Sequence, residues 1–82
     1  MIHAIRKTSN TQQEVIYLKK LRYPNIAAER ARMGLTLEEF GKLLGVTRKT
    51  ILNWETKGNI PQGALEKMAD MFHVTVDYLL AA

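Results

Sequence analysis

The sequence predicts an all-α domain of five short helices behind a basic N-terminal extension. Helix start and stop residues alternate from Asn25 onward, and no alternating strand pattern appears in residues 25–82. An apolar stripe at helical spacing marks one of the helices: Leu65, Met68, Ala69 and Phe72. A chain of 82 residues, 46% hydrophobic, has room for one small domain. We place the domain at residues 25–82 and the extension at residues 1–24.

The first two helices have clear N-terminal signals. Asn25, directly after a proline, predicts an N-cap for a helix over residues 26–33. Thr36 and Glu39 have the spacing of a capping box, which predicts a helix over residues 37–44.

The other three helices follow after short turns. Thr47 predicts the N-cap of a third helix from Arg48 to about Glu55. The apolar stripe defines the fourth helix, and Thr75 predicts the cap of a fifth that ends at Leu80.

The extension allows two interpretations. Thr11 and Glu14 form a second capping-box pattern, which favours a helix over residues 12–22. The apolar residues in this segment do not share one helical face, however, and they also suit a strand. We interpret residues 1–10 as a mobile tail.

Composition excludes several classes of site and location. The chain has no cysteine, so it forms no disulfide and no thiolate metal site. His3 and His73 are too far apart in sequence to suggest a metal site. The longest strongly apolar run, residues 15–18, is far shorter than the roughly 20 residues of a membrane span. We therefore expect a cytoplasmic protein without a signal peptide, metal or cofactor.

The positive charge is concentrated in the extension. The formal net charge is +4, and residues 25–82 contain equal numbers of basic and acidic residues, so the excess lies in residues 1–24. A basic extension of this kind indicates either a polyanionic partner or simply a solvated basic surface.

The second and third helices are predicted to cross steeply, because very few residues separate them. Gly45 and Val46 leave no room for an antiparallel return. Gly41 stands in the middle of the second helix, where glycine costs about 1 kcal/mol relative to alanine unless a close contact requires it. This arrangement is typical of a helix-turn-helix, whose second helix is the recognition helix.

The third helix is predicted to have two faces. Ile51 and Trp54 fall on one side of the helical wheel and are expected to face the core. The opposite side carries groups that can reach a partner: Lys49, Leu52, Asn53 and Thr56, with Arg48 at the leading end.

The run Leu37-x-x-x-Gly41-x-x-x-Gly45-Val46-x-x-x-x-Ile51-x-x-Trp54 resembles the helix-turn-helix of the lambdoid phage repressor and Cro family. Further residues on both sides of this run also match the family at the same spacing, so the resemblance extends over about residues 25–80. Two positions depart from the family pattern, since Leu37 replaces a usual glutamine and Gly41 a usual alanine. The resemblance implies an ion pair between Arg30 and Glu55, which links the first helix to the recognition helix.

The resemblance also implies how the domain reads DNA. Arg48, Lys49 and Asn53 match the family's base-reading positions, and their side chains have the chemistry to bind guanine or adenine edges. Leu52 is a candidate for contact with a thymine methyl group, or an incidental surface leucine.

Other polar residues are candidates for phosphate contacts, although simple capping or solvation would also explain them. The candidates in the domain are Thr36, Thr47, Thr50, Lys57 and Asn59. In the tail, Arg6 and Lys7 are candidates for contacts along the DNA backbone.

The sequence therefore predicts a regulator of transcription that binds specific double-stranded DNA, most simply a repressor that occupies an operator as a homodimer. A DNA-binding antitoxin or a restriction-modification controller fits the same residues. A helical protein-interaction module is the alternative from another class, and residues 11–23 are a candidate surface for a protein partner. An enzyme is not expected, because the only serine, Ser9, has no histidine placed to activate it and no glycine-rich phosphate loop follows a strand.

Overall fold

The computed structural model describes residues 20–81, which form five α-helices joined by short turns. The helices are α1 (Pro24–Arg32), α2 (Leu37–Leu44), α3 (Arg48–Lys57), α4 (Gln62–Phe72) and α5 (Val76–Leu80). Residues 20–81 contain no strand, and the all-α fold class is confirmed. Within these residues, no helix is long and apolar enough to cross a membrane.

Three of the helices begin at threonine caps, as the sequence predicts. The capping hydroxyls belong to Thr36, Thr47 and Thr75. Each accepts a hydrogen bond of 3.0–3.2 Å from the backbone N–H three residues later. At α2 the capping box is complete, because the Glu39 carboxylate accepts from the Thr36 N–H at 2.9 Å. These caps satisfy N–H groups that have no partner inside the helix.

The predicted start of α1 is wrong. Tyr23 occupies the N-cap position and Pro24 the first helical position, where the missing N–H and fixed φ of proline suit the helix. Asn25 lies inside the helix, and its side-chain amide donates to the Tyr78 carbonyl oxygen at 2.8 Å. Asn25 therefore ties α1 to α5 instead of capping α1.

Boundaries of two other helices also differ from the prediction. Helix α3 continues to Lys57, two residues beyond the predicted end, and stops at Gly58, whose φ is +91°. Residues 20–22 form a turn and a bend, so the predicted helix does not include Lys20 to Arg22. The rest of that prediction, residues 12–19, and the tail at residues 1–10 lie outside the described residues.

The core draws one fully buried apolar side chain from each helix. These residues are Ile26, Phe40, Ile51, Met68 and Leu79, all 0% exposed. The rings of Phe40 and Phe72 also pack at a centroid distance of 5.5 Å, which joins α2 to α4. The short helices are thus held around a single core.

The crossing of α2 and α3 depends on the absence of a side chain at position 41. A Cβ atom on Gly41 would lie 2.6 Å from the Val46 carbonyl oxygen, closer than van der Waals contact allows. Gly45 turns the chain with a φ of +75°, and the Val46 N–H donates to the Gly41 carbonyl oxygen at 2.8 Å. Gly41 therefore lets α3 start directly against α2.

An ion pair joins α1 to the end of α3. The Arg30 Nε lies 2.9 Å from Glu55 Oε2, and Nη2 lies 3.4 Å from Oε1. The Arg30 Nη1 also donates to the Leu35 carbonyl oxygen at 2.9 Å. The Glu55 side chain is fully buried and that of Arg30 is 13% exposed, so the pair fixes α3 from inside the domain.

Candidate nucleic-acid interface

Helix α3 separates a packed face from an accessible one, as the helical wheel predicts. On the inner side, Ile51 and Glu55 are buried and Trp54 packs partly buried against the core. On the outer side, Arg48 and Lys49 are exposed. The outer side can therefore approach a partner without any change in the fold.

The later outward positions are less open than the first two. Leu52, Asn53 and Thr56 are half-buried. The Thr56 hydroxyl donates to the Leu52 carbonyl oxygen at 2.7 Å, so its hydrogen is used within the helix. The Asn53 side chain keeps donors and acceptors for a ligand, because the described residues offer it no hydrogen bond.

The N-terminal turn of α3 has an unusual charge distribution. Arg48 and Lys49 occupy its first two positions, and the turn has no acidic residue. A helix N-terminus carries partial positive charge and favours acidic side chains. Helix α2 follows this rule, because Glu38 and Glu39 lie in its own first turn. Placing two cations at the start of α3 costs helix stability, and a nearby anion would offset that cost.

Two threonines complete this end of α3. The Thr47 and Thr50 hydroxyl oxygens lie 2.9 Å apart, and Thr47 also accepts from the Thr50 N–H. Thr47 is exposed and Thr50 half-buried. The structure thus brings the predicted residues 47–50 together on one helical turn.

The remaining candidate phosphate contacts lie elsewhere on the surface. Lys57 and Asn59 are exposed on either side of Gly58, and Asn59 has a φ of +58°. The exposed Thr36 hydroxyl serves the capping box of α2. Leu37, at the position of the family's usual glutamine, packs half-buried against the core and provides no polar group. The proposed tail contacts Arg6 and Lys7 lie outside the described residues.

Sequence reasoning missed the segment that joins the recognition helix from the N-terminal side. We call residues 20–23 the strap. The Arg22 N–H donates to the Glu55 carbonyl oxygen at 2.8 Å, near the end of α3. This contact joins residues that are far apart in sequence, so no local pattern predicts it. The nearest local signal is Pro24, which marks the start of the helix that follows the strap.

A second polar network lies on α1 and α5. The Glu29 carboxylate accepts hydrogen bonds from Arg32 and, at 2.9 Å, from the Tyr78 hydroxyl. The bond from Arg32 and then the one from Tyr78 lower the pKa of Glu29, and the same carboxylate raises the pKa of Tyr78. None of these groups lies on α3. Within residues 20–81, no group of three His, Asp or Glu side chains is arranged to hold a metal ion.

The comparison with protein families decides the identity of the fold. A model of the Cro/C1-type helix-turn-helix family matches residues 26–79, which include all but the first two residues of α1 and all but the last residue of α5. The chain belongs to the Cro/C1-type helix-turn-helix family. It is accordingly a DNA-binding protein of transcription regulation, with double-stranded DNA as its partner. Comparisons with curated proteins and with solved structures found no significant match.

Proposed function

We propose that this Cro/C1-type protein represses transcription by binding a specific operator through the outward face of α3 in the major groove. The observation that carries the proposal is the pair of cations at the N-terminal turn of α3, without an acidic neighbour, on a helix whose other face is buried. A polyanion compensates the local cost of that charge pattern.

Four side chains read the bases in this proposal. Arg48 and Lys49 donate to guanine O6 and N7, and Asn53 makes paired hydrogen bonds with adenine N6 and N7. Leu52, half-exposed beside Asn53, contacts a thymine methyl group. Readout in the major groove uses these edges because each base pair presents a distinct pattern there.

Contacts to phosphates fix the domain on the duplex. We assign these contacts to five residues near the ends of the two helices. Thr36 precedes α2, and the others lie at the two ends of α3: Thr47, Thr50, Lys57 and Asn59. Two copies of the chain bind a palindromic operator, with half-sites about 34 Å apart. In this proposal, occupancy of the operator itself blocks transcription.

Selection of bound sequences from a random duplex pool tests the proposal, followed by affinity measurements on the selected site. Asn53→Ala is expected to weaken binding to that site by about 1–3 kcal/mol and to relax the preference at one base pair. Binding to unrelated DNA should hardly change, because Asn53 touches no phosphate in the proposal.

Lys57→Gln is the matched control, since a phosphate contact carries no sequence information. It should weaken selected and unrelated DNA by similar factors. Equal losses on both DNAs for Asn53→Ala, with helix content unchanged by circular dichroism, would refute the assignment of the reading face. A selection that enriches no sequence would refute specific binding and leave the helical interaction module as the better explanation.

A further inference from the structure

The strap holds Arg22 against the C-terminal end of the recognition helix. Both Arg22 and Tyr23 direct backbone N–H groups to the Glu55 carbonyl oxygen, at 2.8 and 3.5 Å. The last carbonyl groups of a helix have no partner inside it, so these N–H groups satisfy one of them. The strap is thus attached to α3 through the main chain.

The Arg22 side chain runs across Gly58. A Cβ atom at position 58 would lie 3.0 Å from Arg22 Cδ and 3.1 Å from a Tyr23 ring carbon, so the side chains occupy the space that glycine leaves. The Arg22 guanidinium lies 5.4 Å from the Tyr23 ring centroid, and its Nε donates to the Tyr23 hydroxyl at 3.2 Å. These contacts restrict the side chain, and its remaining N–H groups have no hydrogen-bond partner among residues 20–81.

The charge of Arg22 has no counterpart within residues 20–81. The ion pairs there involve Arg30 and Arg32, and no carboxylate is paired with Arg22, which is exposed. Lys20 and Lys57 add two more exposed cations to the strap and to the end of α3, where the one acidic side chain, that of Glu55, is buried in its own ion pair. The group is therefore a basic patch at the second end of α3.

We propose that Arg22 binds a DNA phosphate and so extends the interface beyond the family match, which begins at residue 26. The proposal rests on the proposed major-groove binding of α3, in which the exposed residues Lys57 and Asn59, on either side of Gly58, contact the DNA backbone. Capping of α3 needs only the Arg22 N–H, whereas the guanidinium is oriented by its contacts with Tyr23 and can donate two hydrogen bonds to one phosphate. Arg22 supplies affinity without base preference.

The salt dependence of binding to a short random-sequence duplex tests this contact in the full-length chain. Arg22→Gln keeps the backbone N–H and removes the charge. The slope of log K against log salt should become shallower by about 0.9, the value of one phosphate contact on B-DNA. Arg22→Lys should keep the wild-type slope, because it restores the charge. Lys67→Gln, a matched loss of one exposed cation on α4, should leave the slope unchanged.

The outcomes separate this contact from the function of α3. In one outcome, Arg22→Gln and Lys67→Gln have the same slope of log K against log salt, while Asn53→Ala still loses preference for the selected site. This outcome refutes the phosphate contact of Arg22 and leaves the assignment of the reading face unaffected. If Arg22→Gln and Arg22→Lys both weaken binding and both lower the thermal midpoint, Arg22 has a purely structural role and the proposal is likewise refuted. Absence of DNA binding by the wild-type chain would overturn both proposals.

Discussion

Glu55 connects three parts of the molecule through one residue. Its buried carboxylate pairs with Arg30 of α1, and its carbonyl oxygen accepts from Arg22 of the strap. A buried carboxylate is costly unless it is paired and hydrogen-bonded, and here the Arg30 guanidinium meets both oxygens. The position of α3 relative to α1 therefore depends on an interaction that loses its benefit if either partner is removed.

Glu55→Ala should lower the free energy of unfolding by about 3 kcal/mol, because it leaves the Arg30 guanidinium largely buried without its carboxylate. Urea unfolding measures the loss, which is a large share of the stability available to a domain of this size. Asp70→Ala, at an exposed carboxylate on α4, is the control and should stay within about 0.5 kcal/mol of wild type. Equal midpoints for the two variants would contradict the structural role of the pair.

The bond between Tyr78 and Glu29 predicts a pH-dependent contribution to stability. The pKa of Glu29 is lowered from 4.5 by Arg32 and then by Tyr78, so its contribution is complete above pH 4.5 and disappears as acid protonates the folded carboxylate. The pKa of Tyr78 is raised above 10.0, so its contribution is complete below pH 10 and disappears as the pH rises through the folded value.

Tyr78→Phe should therefore be less stable than wild type at neutral pH, with the difference shrinking as the pH falls below 4.5 and the folded carboxylate is protonated. Unfolding by urea at neutral pH and at a series of acid pH values measures it. Phenylalanine keeps the ring, so the comparison isolates the hydroxyl. A difference that stays constant into acid would show that the bond to the Glu29 carboxylate does not contribute.

At the scale of the elements, the junction between α2 and α3 is the most restrictive contact. Helix propensity alone would favour Gly41→Ala by about 1 kcal/mol. The new methyl group would instead meet the Val46 carbonyl oxygen, so Gly41→Ala should destabilise the domain and displace α3. Gly63→Ala in α4 is the matched control, because nothing lies within 4 Å of its added Cβ.

We expect opposite signs for the two substitutions in thermal unfolding. Gly63→Ala should raise the midpoint, by a gain of up to about 1 kcal/mol, and leave DNA affinity unchanged. Gly41→Ala should lower both the midpoint and the affinity. A gain in stability at both positions would mean that the junction tolerates a side chain.

Local signals account for most of the elements that the sequence predicts correctly. The caps at Thr36, Thr47 and Thr75 involve groups three residues apart, so the relevant partners can be read directly from the sequence. The outward face of α3 follows from helical periodicity in the same way. The Gly41 contact was also predictable, because glycine is unfavourable in a helix interior without a reason of this kind.

The errors occur where the partner is remote in sequence. The Asn25 amide bonds to a carbonyl group 53 residues away, and no local pattern distinguishes this use from an N-cap. The strap likewise meets α3 through hydrogen bonds between residues that are far apart in sequence. Leu52 and Asn53 are half-buried, although the helical wheel places them on the outward face. Their burial depends on neighbouring elements, which a helical wheel does not include.

At the scale of the whole molecule, three truncations separate the parts of the extension. Deleting residues 1–10 removes Arg6 and Lys7 and should flatten the salt dependence of DNA binding by one or two phosphate contacts. Deleting residues 1–19 keeps the strap. Deleting residues 1–23 also removes the hydrogen bonds to Glu55 and the packing of Tyr23, and should lower stability further.

Sedimentation, thermal unfolding and operator binding measure the effects of the three truncations. Because we propose residues 11–23 as a packing or dimerisation element, loss of this segment should change the sedimentation mass or the stability. If deletion of residues 1–23 leaves mass, stability and affinity as they are after deletion of residues 1–10, the segment is only a linker.

The close approach at Gly41 also limits how new operator specificity can be engineered. A relative with alanine at the position of Gly41 has a different approach of its recognition helix to the preceding helix. Exchanging α3 alone for that recognition helix would transfer the base-reading side chains without the backbone geometry that orients them. Residues 41–47 and α3 therefore form one transplantable unit, to be exchanged together or left in place. Substitutions confined to the outward positions 48, 49, 52 and 53 avoid this constraint, because none of these side chains takes part in the junction.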